Sequence, residues 1–217
     1  MSDVKLPKSL KAVPFPGTSQ EDRFSSTQDL IAETSYRIVD PDSNSTWGYV
    51  AIDNTQRGPG LGGIRMVQDL SLNEISRLAR VMTMKNSSAC LPYGGAKAGL
   101  TLKSFELTDN FAIREELIEK LADCLFELSA YVPAPDMGTN ENDIQIIYNN
   151  HTRKLGTEKH SRGGAGRPVE KGGIPIDDWE LTAHGLFSAI QALESRDETL
   201  DLSKAKFIVQ GFGNVGA

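Results

Sequence analysis

Apolar residues recur along this chain with two different periods, and the change from one to the other marks its elements. From Leu72 to about Asn86, Ile75, Leu78, Ala79, Met82 and Met84 follow an approximate helical stripe, which predicts an amphipathic helix. Ser71 followed by Glu74 is a capping-box signal at its start. A stronger helix is predicted from about Asn110 to Ser129, with Ile113, Leu117, Leu121, Leu125 and Leu128 on one face. A third runs from about Asp177 to Glu194, and two short ones are expected over Glu21–Ala32 and about Glu141–Tyr148. Strand character appears in Ser35–Val39 and Trp47–Ile52, separated by the turn composition PDSNS. CLPYGGAKAGLTL is broken by glycine and ends in strand-like residues, Tyr131-Val132 leads into the loop PAPDMGTNENDI, and KFIVQ near the end reads as a buried strand. The first twenty or so residues contain three of the ten prolines and read as an irregular arm. From His151 to Pro175 the chain is rich in Gly, Lys and Arg and reads as a long loop, the kind that carries function. Strands alternating with helices predict an α/β fold.

Composition narrows the class without choosing a function. Of 217 residues, 39% are hydrophobic and 24% charged, which permits a core and argues against wholesale disorder. A net charge of −6 argues against a nucleic acid or an anionic membrane as partner. There is no apolar run long enough to span a bilayer, and the opening MSDVKLPKSLKAVPF lacks the apolar centre of a signal peptide. The two cysteines, Cys90 and Cys124, lie in segments that read as buried, and two distant lone thiols suit a reducing, cytoplasmic setting. His151 and His160 read as solvated loop residues with no ligand-spaced partner, so no metal site is expected.

Three segments carry candidate chemistry. GPGLGGIRM, from Gly58 to Met66, holds four glycines in six residues. KNSSACLPYGGAKAGL places Lys85 and Lys97 among small residues, where glycine permits close backbone approach to a ligand. Partial desolvation there would lower a lysine pKa toward the range useful for proton transfer. At the end, Gly211, Gly213 and Gly216 form G-x-G-x-x-G directly after the expected strand, the pattern that lets backbone amides approach a dinucleotide pyrophosphate. By itself that pattern also describes a glycine-rich turn.

Four blocks in order, GPGLGGIRM, MTMKNSSACLPYGGAKAG, PAPDMGTNENDI and VQGFGNVGA, resemble the glutamate/leucine/phenylalanine/valine dehydrogenases. The resemblance implies a mixed, mostly parallel α/β sheet flanked by helices, followed by the start of a Rossmann domain. Residues 1–176 would be the substrate-binding and oligomerisation domain, and residues 177–217 a linker helix and the beginning of a truncated dinucleotide-binding domain. It implies that Lys85 holds the substrate α-carboxylate, that Lys97 is the catalytic lysine and that Asp136 is its acid/base partner. The competing reading of Asp136 is a helix cap. Gly62 and Met66 would line the substrate pocket, with core packing the alternative for Met66. Thr182 would lie near the nicotinamide, and Gly211, Gly213, Asn214, Val215 and Gly216 would hold the cofactor, NAD or NADP. A homo-oligomer is implied through the N-terminal domain, with Ser35–Val39 and Trp47–Ile52 as candidate edges.

The chain departs from the glutamate pattern at Leu61, where glutamate-specific members carry a lysine for the side-chain carboxylate. An apolar residue cannot pair a carboxylate, so the expected substrate is an L-amino acid with an apolar side chain, oxidised to a 2-oxo acid and ammonia. GGAKAG and PDMGTN look more like the glutamate branch, which keeps a glutamate-type enzyme with an altered pocket as an alternative. The 217-residue chain alone is expected to be inactive, as a fragment of a longer enzyme. If that length were natural, a non-catalytic amino-acid-binding or assembly module would be the reading instead.

Overall fold

The computed structural model describes residues 6–15, 32–102, 110–156, 165–176, 178–213 and 215–216. The chain divides into two compact units, Met1–Arg167 and Pro168–Ala217.

In the first unit the strands are β1 (Lys11–Pro14), β2 (Thr34–Val39), β3 (Thr46–Asn54), β4 (Gly60–Val67), β5 (Gly94–Thr101) and β6 (Tyr131–Pro135). Its helices are α1 (Leu72–Ser88), α2 (Phe111–Phe126) and α3 (Glu141–Leu155). The strands form one sheet in the order β1-β2-β3-β5-β4-β6. The expected mixed α/β sheet flanked by helices is therefore present, but it is not mostly parallel as expected. Within it, β5–β4 and β4–β6 are the parallel pairings, and the other three are antiparallel. The parallel pairs are those whose connections carry helices, whereas β2 and β3 follow one another through a tight turn and can only pair antiparallel.

Helix α1 covers one face of the sheet, where Ile75 and Ala79 pack with Ala51 and Leu70. Helices α2 and α3 cover the other, with Leu117, Leu121, Leu125, Ile144 and Ile147 in one cluster with Val50, Ile52, Ile64, Ala98 and Leu100. Alternation along β3 explains the division, since Ala51 points one way and its neighbours Val50 and Ile52 the other. β5 is buried along almost its whole length because both faces are covered.

Several expectations change here. Lys11–Pro14, read as part of an irregular arm, is a strand paired with Tyr36–Val39. It takes the outer position, so Ser35–Val39 and Trp47–Ile52 are interior, and β1 and β6 are the edges. The glycine-broken stretch before Lys97 is strand from Gly94 onward. Its glycines serve packing: a Cβ on Gly95 would lie 2.2 Å from the Thr83 amide nitrogen of α1. Helix α3 continues to Leu155, well past Tyr148, and takes in the start of the expected loop. His151 is consequently buried, its Nε2–H donating to the Ala122 carbonyl at 3.0 Å and its ring meeting Phe126 edge-on at 5.3 Å. Cys90 is exposed at the end of α1 with φ +56°, whereas Cys124 is buried in α2; both are free thiols. The helix expected at Glu21–Ala32 lies outside the described residues except for Ala32, and His160 lies outside them as well.

In the second unit a 3₁₀ turn, Val169–Lys171, precedes helix α4 (Leu181–Glu194). KFIVQ is not the buried strand expected. Lys206–Gln210 has no strand pairing, and Ile208 is 96% exposed. A strand exists only with a ladder partner, and no other strand occurs among the described residues of this unit. Among the described residues no helix is long and apolar enough to cross a membrane.

Candidate active site

Lys97 projects from the middle of β5 on the α1 side of the sheet and is only 6% exposed. Asp136 follows β6 immediately, and the two strands flank β4. Lys97 Nζ lies 2.6 Å from Asp136 Oδ2. Between them, Gly63 of β4 leaves the necessary room: a Cβ there would fall 2.7 Å from Asp136 Cβ and 3.2 Å from Lys97 Nζ.

The turn carrying Asp136 is clamped onto β4. The Met66 amide donates to the Met137 carbonyl at 2.9 Å. Thr139 Oγ1 accepts from the Asp136 amide at 2.9 Å and donates to the Ile64 carbonyl at 2.7 Å. Gly138 has φ +80°, and a Cβ on it would meet the Met66 carbonyl oxygen at 2.0 Å. Asp136 does not cap the following helix. Asn140 does, in a reciprocal capping box with Asp143.

Burial lowers the Lys97 pKa, against the hydrogen bond and charge of Asp136, and the nearby positive charges of Arg65 and Lys85 lower it further. The Asp136 carboxyl is raised by burial, but its hydrogen bond and charge interaction with Lys97 dominate and its pKa lies below the ordinary value. The net arrangement is a carboxylate beside a buried amine whose proton is held less firmly than on a free lysine.

The structure thus pairs Lys97 with Asp136, and Lys85, exposed in the last turn of α1, is near enough for its charge to act on Lys97. Leu61 is on β4 in register with Gly95, two residues before Lys97 on the adjacent strand. Gly62 cannot carry a side chain, because its Cβ would lie 1.6 Å from the Ala96 carbonyl oxygen. Met66 is 2% exposed and packs in the core cluster with residues of α2 and α3. Thr182 is exposed on α4, and Gly211, Gly213, Val215 and Gly216 lie in the same second unit; Asn214 is outside the described residues.

Four further residues complete the site, of which the sequence marked Glu74 as a capping-box partner only. Arg65 Nε donates to Asp136 Oδ2 at 3.1 Å, and its Nη1 to Glu74 Oε1 at 2.5 Å. Thr139 holds the Asp136 turn. Asn86, 2% exposed, donates through Nδ2 to the carbonyls of Gly94 at 2.6 Å and Leu61 at 3.3 Å, tying α1 to both central strands.

The glycine segment forms a turn, with Gly211 at φ +96° and the Gly216 amide donating to Gly213 O at 3.0 Å. A dinucleotide site requires such a turn at the end of a strand within a sheet. With Lys206–Gln210 unpaired and exposed, the described residues of this unit do not make that crevice.

A buried lysine–aspartate pair thus stands on a mixed α/β sheet, with a further lysine on the helix that covers it. Residues 30–153 match the Glu/Leu/Phe/Val dehydrogenase dimerisation domain, and the chain belongs to that family. A glutamate dehydrogenase of Thermotoga maritima is 34% identical over 196 residues, which cover 86% of this chain and 44% of that protein. Among solved structures, the hetero-hexameric glutamate dehydrogenase of Thermus thermophilus in its Leu-bound form matches with a TM-score of 0.67 and 26% identity, over 97% of this chain and 45% of that one. A glutamate dehydrogenase of Peptoniphilus asaccharolyticus shares the fold, with a TM-score of 0.65 at 24% identity over 97% and 48% of the two chains. The chain therefore spans slightly under half the length of these relatives.

Proposed function

We propose that this chain supplies the substrate-side residues of an NAD(P)-dependent L-amino acid dehydrogenase that prefers apolar side chains. The observation that carries the reading is the buried Lys97–Asp136 pair at 2.6 Å with the Lys85 charge nearby, in a chain of this family. NAD or NADP is the proposed hydride acceptor, with Thr182 and the Gly211–Gly216 segment as its contacts in the complete protein.

Lys85, exposed on α1, is a point charge suited to the α-carboxylate. Lys97 in its neutral form acts as the base for water adding to the iminium carbon, and its ammonium form offsets developing negative charge. Asp136 exchanges protons with the substrate amine. Leu61 is the side-chain selector: a carboxylate placed against it would be desolvated without a partner, at a cost of several kcal/mol. Gly62 shapes the strand beside it, and Met66 supports that strand from the core. Assembly as a homo-oligomer through the dimerisation domain, in the cytoplasm, completes the proposal.

The test is reduction of NAD and NADP by the protein isolated from its source, with leucine, phenylalanine, valine and glutamate. Turnover of the apolar substrates is expected, lost in Lys97→Ala and moved toward glutamate in Leu61→Lys. Preference for glutamate in the unaltered protein would overturn the reading of Leu61 and favour a glutamate-type enzyme with an altered pocket. No turnover of any of the four would favour a non-catalytic binding or assembly module.

A further inference from the structure

Two cations use the same oxygen of Asp136. Lys97 Nζ reaches Oδ2 at 2.6 Å and Arg65 Nε reaches it at 3.1 Å. The far side of the Arg65 guanidinium is held by Glu74, in the first turn of α1. The Glu74 amide is itself fixed by the Ser71 hydroxyl at 3.2 Å, so the start of α1 sets where its carboxylate sits. The Arg65 side chain is 16% exposed and spans from helix to turn across the α1 face of β4.

We infer that Arg65, anchored by Glu74, is a positioning residue: it orients the Asp136 carboxylate and shares its Oδ2, so that the Lys97 amine is never half of an exclusive ion pair. The inference rests on the roles given to Lys97 and Asp136 above. A carboxylate that serves one ammonium alone stabilises its charged form strongly and would leave a poor proton donor at neutral pH. Dividing the carboxylate between two cations weakens that hold, and the second cation adds like-charge repulsion. Arginine suits the task because its guanidinium stays charged and its fork can bind two carboxylates at once. Glu74 tunes the arrangement by neutralising part of the Arg65 charge.

The charged groups around Lys97 are Asp136 after β6, Arg65 on β4 and Lys85 on α1, with Glu74 acting through Arg65. Asp53 on β3 is engaged separately by Arg80 at 3.0 Å and Thr83 at 2.5 Å, both from α1.

The experiment follows the Lys97 side-chain ¹³Cε resonance with pH in the full chain, assigned by its loss in Lys97→Met. Arg65→Met is expected to raise the Lys97 midpoint by about one pH unit, and Arg65→Lys to restore part of the difference. Glu74→Gln is expected to move it the other way, because Arg65 then keeps its full charge. That variant retains the helix cap, which uses the Glu74 backbone, so it remains informative if Arg65→Met fails to fold. In the active protein the acidic limb of log kcat/KM should follow the same two opposite directions. Unmoved midpoints, or midpoints that move in the same direction in Arg65→Met and Glu74→Gln, would overturn the inference. If amino acid turnover is absent while the midpoints separate as stated, the proposed reaction falls and the role of Arg65 stands; turnover with unmoved midpoints removes Arg65 alone.

Discussion

The Asp136 carboxylate lies within reach of two cations, and its response to acid follows from that geometry. Burial pushes its pKa up, the hydrogen bond and charge of Lys97 pull it down further, and the net value is below the ordinary 3.8. A carboxyl whose pKa is lower in the folded than in the unfolded chain adds stability that is present above the unfolded value and lost as pH falls through the folded one. The urea midpoint should therefore drop as pH is taken below about 4, with a shallower slope in Asp136→Asn. Asp123 is also held low, in part by Lys154, so some slope will remain. Equal slopes in the two proteins would remove Asp136 from the acid response. At this scale Lys97, Lys85 and Asp136 were legible because their surroundings in sequence carry family blocks. The roles of Arg65, Glu74 and Thr139 were not: Arg65 reaches Asp136 from a strand 71 positions earlier, Glu74 acts through Arg65, and Thr139 works by bonding the Asp136 turn to the distant Ile64 carbonyl. Gly63 stood out as a glycine, but that its missing Cβ makes room for Asp136 and Lys97 shows only once three strands are side by side.

Helix α1 is the element on which the site depends, and its C-terminal half is fastened to β3 through Arg80 and Thr83 on Asp53 and to the parallel strands through Asn86. Asn86 donates to the Gly94 and Leu61 carbonyls, one on each of the parallel central strands. Replacing it with leucine leaves two buried acceptors without this donor, and a loss of about 1–3 kcal/mol in urea unfolding is expected. An unchanged midpoint would show that the strands need no such tie. The long amphipathic helices α1 and α2 were readable because an apolar stripe requires nothing beyond the helix itself. Helix α3 was read too short because its later residues are polar. Asn150 and His151 are nevertheless buried, as α2 supplies Glu119, Asp123 and the Ala122 carbonyl to bond them. β1 escaped notice for a related reason: four residues with a proline become a strand only when an edge is offered to them.

Across the whole molecule the two units differ in how their apolar residues are covered. The first buries a continuous core on both sides of its sheet, whereas no residue of α4 is buried, and Leu186, Phe187 and Leu193 are exposed. Helices gain most of their stability from packing an apolar face. Amide hydrogen exchange in this 217-residue chain is expected to be fast in α4 and slow in β5 and α1, read by peptide mass spectrometry. Equal protection would mean that α4 is covered in solution. The same view moves the expected assembly surface. β2 and β3 are interior, so any pairing of sheet edges between copies would have to use β1 or β6.

Periodicity, turn residues and the ordered blocks were enough to determine the α/β class, the main helices, the family and the lysine–aspartate pair. All of these are written over short stretches of chain, where spacing and side-chain type suffice. The tertiary structure alone decided which strand lies at the edge, that the glycines before Lys97 belong to its strand, that polar residues of α3 are buried, and that Asp136 is shared. Each of those depends on what a distant segment presents across a few ångströms, and buried polar groups in particular take their state from the partner that reaches them.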